Sequence, residues 1–370
     1  MAGDIIPTKE KVAGTGPIIH AGIRGGADVA RCYGENVSSR FFASWALLSC
    51  SAAIVACDWQ VGYTGTGGSG GATHATSSSS SSSSSGTTWN PDGGGTGGGA
   101  VNMCAGGKVG GDRPADVRVP ASYDCKTPLP LVILLHDYAS SGVGAEAYLD
   151  LAAQADARGF IYVHPDGTKD SKGKAFWNAT DACCDAEGSG VDDSGYLSSL
   201  IWDIRAQYNV DPKRVYLIGY ENGGFMAYRE ACDHATQITA VASLGGAMWA
   251  DTAKCALKAP VSVLEIHGTA DADIAYGGGT RQGHPYPGAD TAAADWAKLD
   301  KCKSGPDTSA PPLDLDSSLP GAETTVTRFP TCVLGTSVEL WKIQGGTHAP
   351  QLSTTFTSSV LDFLLAHHKP

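Results

Sequence analysis

Positive charge is scarce in this sequence. Its 370 residues carry 26 Lys and Arg against 38 Asp and Glu, a formal net charge of −12. That balance excludes a nucleic-acid-binding surface and supplies no basic patch for anionic lipids. Paired C-x-x-C spacings are also missing. Cys183 and Cys184 are adjacent, a poor geometry for zinc, so no metal and no cofactor are expected. An apolar run of full membrane-spanning length is lacking too. The candidate, FFASWALLSCSAAIVAC at 41–57, is uncharged but falls short of the ~20 residues a stable span needs.

Cysteine, by contrast, is plentiful: 11 residues, a high count for a cytosolic enzyme of this size and simplest to explain by oxidising conditions outside the cytoplasm. The 41–57 run suits the apolar region of a signal peptide. It ends Ile54-Val55-Ala56-Cys57, which resembles a bacterial lipobox, with Cys57 as the lipidated residue. A buried helix and a plain secretory signal remain the alternatives. Residues 58–102 are rich in Gly, Ser and Thr, with an unbroken serine run from Ser77 to Ser85. Such a composition buries too little apolar surface to offset chain entropy, so it reads as a flexible linker. The expected organisation is therefore an N-terminal extension and lipoprotein-type signal (1–57), a linker (58–102) and one folded domain (103–370).

Within that domain, apolar strand-like runs alternate with helical patterns. Leu129–His136 is a continuous apolar run of the kind that a parallel strand covered on both faces requires. Further strands are expected at Asp116–Pro120, Phe160–His164, Arg214–Ile218, Ile238–Leu244, Val261–His267 and Val338–Ile343. Helices are expected at Ala145–Arg158, Ser194–Tyr208, Phe225–Ala231, Thr291–Leu299 and Phe356–His367. The alternation implies a doubly wound, mostly parallel α/β sheet in a single domain.

The strand at Arg214–Ile218 runs into Gly219-Tyr220-Glu221-Asn222-Gly223-Gly224, the layout of a nucleophile elbow. Two later strand ends carry Asp271 (in His267-Gly268-Thr269-Ala270-Asp271) and His348 (after Gly345-Gly346-Thr347). Nucleophile, acid, histidine is the chain order of an α/β-hydrolase triad, in which the histidine takes the nucleophile's proton and the acid fixes its tautomer. The motifs VRVPASYD (117–124), PLVILLH (130–136), GVDD (190–193), YNVDPKRVYLIG (208–219), NGGFMAYREAC (222–232), HGTAD (267–271) and GGTH (345–348) resemble the polyhydroxybutyrate-depolymerase and feruloyl-esterase-like group of α/β-hydrolases. The resemblance implies an α/β-hydrolase fold, ester hydrolysis, and an ester-bearing polymer or a small ester as partner. It places Glu221, Asp271 and His348 in the catalytic positions. Asp137 and Asn222 fall in the oxyanion positions.

Two departures fall on the machinery itself. The family pattern has serine at 221 and glycine at 137, whereas this chain has Glu221 and Asp137. Acyl transfer to a carboxylate would give an anhydride, and its charge opposes an anionic tetrahedral intermediate. Attack by an elbow carboxylate on sp³ carbon is the remaining covalent route. Against it, glutamate is one methylene longer than the aspartate usual there and overshoots by roughly 1 Å. Two functions follow: an exported ester hydrolase with impaired catalysis, or a non-catalytic binding lipoprotein that holds a polyester or glycan. Trp177, Trp249 and Tyr286 are candidates to line an acyl or aryl pocket, with simple packing as the alternative. Of the eight cysteines beyond Cys57, Cys232 with Cys255 and Cys302 with Cys332 are the expected disulfides, and one of Cys183 and Cys184 could be a buried thiol. A monomer is expected, touching membrane only through the lipid.

Overall fold

The computed structural model describes residues 104–370; the signal, Cys57 and linker expectations lie outside the described residues. In chain order the elements are β1 (Gly107–Val109), β2 (Ala115–Arg118), β3 (Leu129–Leu135), α1 (Gly142–Leu149), α2 (Leu151–Arg158), β4 (Ile161–Val163), β5 (Thr168–Lys169), β6 (Ala175–Phe176), α3 (Asp193–Gln207), β7 (Val210–Tyr220) and α4 (Asn222–Asp233). They continue with β8 (Ala240–Leu244), β9 (Ser262–Gly268), β10 (Gly278–Arg281), β11 (His284–Pro287), α5 (Ala289–Leu299), β12 (Thr324–Phe329), β13 (Val338–Ile343) and α6 (Phe356–Leu365). Nine strands form one sheet in the order β1-β2-β4-β3-β7-β8-β9-β13-β12. The six from β4 to β13 run parallel, and antiparallel strands finish both edges.

Because successive side chains on a strand point to opposite faces, each central strand feeds two cores. Leu131, Ile133 and Leu135 of β3 and Val215 and Leu217 of β7 pack on the side of α3, α4 and α5. Val132, Leu134, Tyr216 and Ile218 pack on the side of α1, α2 and α6. Both faces are covered, which is why these strands read as unbroken apolar runs.

One expected element is two. The helix foreseen over Ala145–Arg158 is broken at Asp150, which takes left-handed angles (φ 50, ψ 50). Aspartate tolerates that region better than most residues, and the Glu146 carboxylate accepts the Ala152 N–H at the restart (2.8 Å). The cysteines pair as Cys104–Cys125, Cys183–Cys184, Cys232–Cys255 and Cys302–Cys332. Neither Cys183 nor Cys184 is therefore the buried free thiol allowed above; each is the other's partner.

Candidate active site

The elbow between β7 and α4 depends on glycine for space. A Cβ on Gly219 would lie 2.0 Å from the Gly223 carbonyl oxygen, and one on Gly223 would lie 2.1 Å from that of Leu135. Real contacts of that length do not occur, so the tight turn requires both. Between them Glu221 is held at φ 48, ψ −110, a region that side-chain-bearing residues avoid. Its N–H donates to the Leu244 carbonyl (2.8 Å) and its own carbonyl accepts from Phe225 N–H (3.0 Å). Backbone bonds thus brace the turn on both sides of the side chain.

Glu221 is only 4 % exposed. Its Oε2 accepts two backbone hydrogen bonds, from Tyr138 N–H (3.0 Å) and Asn222 N–H (2.7 Å). One donor follows the nucleophile position and the other comes from the loop after β3, the two sources of an α/β-hydrolase oxyanion hole. The carboxylate thus sits in the hole itself. Its other oxygen, Oε1, lies 3.2 Å from the Arg281 guanidinium. The extra methylene of glutamate does not carry the group past the site; the side chain folds back so that one oxygen reaches both donors.

The loop after β3 is set by a buried histidine. His136 Nε2 accepts the Gly167 N–H (2.8 Å), so Nδ1 carries the proton and donates to the Asp137 carbonyl (2.7 Å). Burial lowers the pKa of this ring and keeps it neutral. With the Asp137 carbonyl turned toward His136, the next N–H, that of Tyr138, faces the hole. Asp137 is corrected accordingly: it lines the cleft, and the donor is Tyr138. The left-handed residue of the loop is Ala139 (φ 63) rather than Asp137. Asn222 donates its N–H to the Glu221 carboxylate. Its side chain accepts from Trp177 N–H (2.7 Å) and donates to the Trp177 carbonyl (2.9 Å), tying the elbow to the segment after β6.

Asp271 and His348 stand together across the cleft. His348 Nδ1 lies 2.9 and 3.1 Å from the two Asp271 carboxylate oxygens. Asp271 Oδ1 also accepts from Asp273 N–H and Ile274 N–H, both at 2.9 Å. Behind it lies His267, with Nε2 donating to the Ile274 carbonyl (2.8 Å) and 3.4 Å from Asp271 Oδ2, and Nδ1 at 3.0 Å from Glu265. Burial opposes charge on His267, but its hydrogen bonds to Asp271 and Glu265 prevail and push its pKa up to about 10. Although burial opposes it, hydrogen bonds from His267 and His348 and the Ile274 N–H hold the Asp271 carboxyl well below the ordinary range. For His348, burial works against the charged form, and the Asp271 hydrogen bond and charge, with a contribution from Glu221, raise its pKa. Tyr220, next to Glu221 in sequence, donates to the His348 carbonyl (3.1 Å), and the two rings lie 5.6 Å apart.

Glu221, His348, Asp137, Tyr138, Asp273 and Arg281 line an open cleft of ≈190 Å³. Trp177, Trp249 and Tyr286 are not among its walls. Trp177 is fully buried, with Nε1 donating to the His136 carbonyl (3.1 Å). Tyr286 stands edge-on to Phe225, and its hydroxyl accepts the Ala275 N–H (3.0 Å). Trp249 packs against the same core. All three are packing residues. Tyr138, Asp273 and Arg281 are the site residues that sequence reasoning missed. Arg281 ends β10, whose turn to β11 places Gln282 (φ 53) and Gly283 (φ 80) left-handed, the two-residue hairpin that x-Gly can signal. Among the described residues, Cys183, Cys184 and Glu221 alone have donor atoms close enough together to hold a metal ion, within 4.8 Å of one another. The two sulfurs are bonded to each other, which takes up the thiolates a metal would need.

Residues 119–301 match the family described as esterase PHB depolymerase. This match and the curated relatives support a place in the polyhydroxybutyrate-depolymerase and feruloyl-esterase-like family. The chain is 29 % identical over 245 residues to feruloyl esterase B of Piromyces equi, a match covering 64 % of this chain and 42 % of that protein. It is 28 % identical over 161 residues to a bifunctional acetylxylan esterase/xylanase of Neocallimastix patriciarum, covering 44 % of this chain and 22 % of that one. It spans less than half the length of either relative. The acetyl xylan esterase of Aspergillus awamori superposes with a TM-score of 0.51 at 15 % identity, over 70 % of this chain and 98 % of that chain, which establishes a shared α/β-hydrolase fold.

Proposed function

We propose that this chain is an exported hydrolase of the polyhydroxybutyrate-depolymerase and feruloyl-esterase type in which turnover of acyl esters is impaired. The observation that carries the reading is the Glu221 carboxylate bound by Tyr138 N–H and Asn222 N–H. A substrate carbonyl needs those donors as its oxygen becomes anionic, and here a resident anion holds them. An acyl group would also have to join a carboxylate, giving an anhydride in place of an ester. The general-base half is retained, with His348 oriented by Asp271. Export is supported by the eight cysteines of the described residues, which pair off among themselves. No helix of the described residues is long and apolar enough to cross a membrane.

Hydrolysis of 4-nitrophenyl acetate and butyrate by the native protein and by Glu221→Ser tests the proposal. The native protein is expected to show at most the ~10³–10⁴-fold rate over water that binding and donors alone supply. Glu221→Ser empties the hole and restores a hydroxyl, and kcat/KM should rise ~10²-fold or more. Native turnover at or above the serine variant's rate would refute the impairment. A serine variant as slow as the native protein would favour the binding-protein reading.

A further inference from the structure

The elbow glutamate is arranged as one oxygen held and one oxygen offered. Oε2 is fixed by two backbone N–H groups at 3.0 and 2.7 Å. Oε1, which those N–H groups leave free, belongs to a residue that lines the cleft with His348 and lies 3.2 Å from the Arg281 guanidinium. For an acyl ester this arrangement is an obstruction. For a saturated carbon it is a loaded nucleophile, because the carboxylate is already oriented by its backbone donors. The two N–H groups then acquire a second use. Once Oε1 is alkylated, Glu221 is itself an ester, and its carbonyl oxygen, Oε2, already lies in the oxyanion hole. His348 Nδ1 is engaged by Asp271, which leaves Nε2 as the ring nitrogen able to take a proton from water.

We propose that Glu221 is a covalent nucleophile toward sp³ carbon, and that this chain hydrolyses small primary alkyl halides through a Glu221 alkyl ester. In the first step an Oε1 lone pair forms the C–O bond while the carbon–halogen pair leaves with the halide. Arg281, 3.2 Å from Oε1, contributes the positive charge of the cleft that the anion enters. In the second step water gives a proton to His348 Nε2 and its oxygen bonds to Cδ of Glu221. The negative charge goes to Oε2, between Tyr138 N–H and Asn222 N–H. Collapse breaks the bond between Cδ and the alkylated oxygen, and that alkoxide recovers the proton from His348. Alkyl halide and water become alcohol and hydrogen halide, with no oxidant or further reactant. The product alcohol carries an oxygen that began in Glu221, and the oxygen from water stays in the carboxylate.

That exchange is the test, with 1-bromobutane as the probe. With enzyme in excess in H₂¹⁸O, the native protein should release bromide above the buffer rate, gain ¹⁸O in the Glu221 peptide, and give 1-butanol without label. His348→Ala and His348→Gln should stall after the first step and retain one butyl group on Glu221, located by peptide mass. Glu221→Gln should do neither. Label in butanol with an unlabelled Glu221 would overturn the proposal, as would native bromide release equal to that of Glu221→Gln. Neither result bears on acyl-ester turnover by the serine variant, so the two readings fail separately.

Discussion

At the scale of single residues, the proton on His348 reports the electrostatics of the whole site. Burial opposes charge on the ring, the Asp271 hydrogen bond and charge favour it, and Glu221 favours it further, with a net upward shift from the ordinary 6.5. A raised pKa means that the protonated ring stabilises the fold. That contribution is complete below pH 6.5 and disappears as pH climbs through the folded-state value. The neutral ring needed as a base appears only above the same value. NMR titration of His348 should therefore give a midpoint above 6.5 in the native protein. Glu221→Gln should lower it, and Asp271→Asn should lower it more, since the carboxylate in direct contact contributes most. An unchanged midpoint in Glu221→Gln would show that the residue's charge does not reach the ring.

Between elements, the decisive contact is the close approach of α4 to the end of β3. Gly223 permits it, and Gly223→Ala would bring a methyl within 2.1 Å of the Leu135 carbonyl oxygen, a backbone atom with no freedom to rotate away. Forced overpacking of this kind costs ~1–3 kcal/mol. Urea unfolding should register that loss, and a variant as stable as the native protein would mean that the elbow has slack. The glycines were legible in the sequence because their spacing is a motif. So were the parallel strands, whose unbroken apolar runs have no other explanation once both faces are covered. Several elements were not. The hairpins β5–β6 and β10–β11 and the edge strand β12 are short or half-exposed, so little periodicity marks them. Asp150 interrupts a helix whose residues otherwise suit one. Arg281 illustrates the limit most clearly. Its partner lies 60 positions earlier in the chain, counting back to Glu221, and no local pattern links a hairpin cation to an elbow anion. The position of a carboxylate could be read from the motif, but its folding back onto two N–H groups depends on distances that only the assembled loops define.

Over the whole molecule, one buried acid lies far from the cleft in sequence and links segments remote along the chain. Asp300, at the end of α5, is fully buried; one oxygen accepts Val261 N–H at 3.3 Å and the other has no hydrogen-bond partner. Burial pushes its pKa up to about 7. The unfolded chain holds such a group at its ordinary 3.8, so the folded state binds the extra proton in between. Its stabilising contribution is complete below 3.8 and is lost as pH rises toward about 7. Asp300→Asn should consequently gain in melting temperature relative to the native protein on going from about pH 5 to about pH 8, by a few degrees for each ~1 kcal/mol relieved. A difference independent of pH would remove Asp300 as the origin.

The elbow at 221 has a wider meaning for how such a molecule changes over generations. Its contorted main chain is secured by the Leu244 carbonyl and the Phe225 amide, and neither bond touches the side chain. Those two backbone bonds consequently do not depend on which group is displayed there. A single codon can therefore change the group presented at the elbow while those bonds persist, so kinship of architecture need not carry kinship of chemistry.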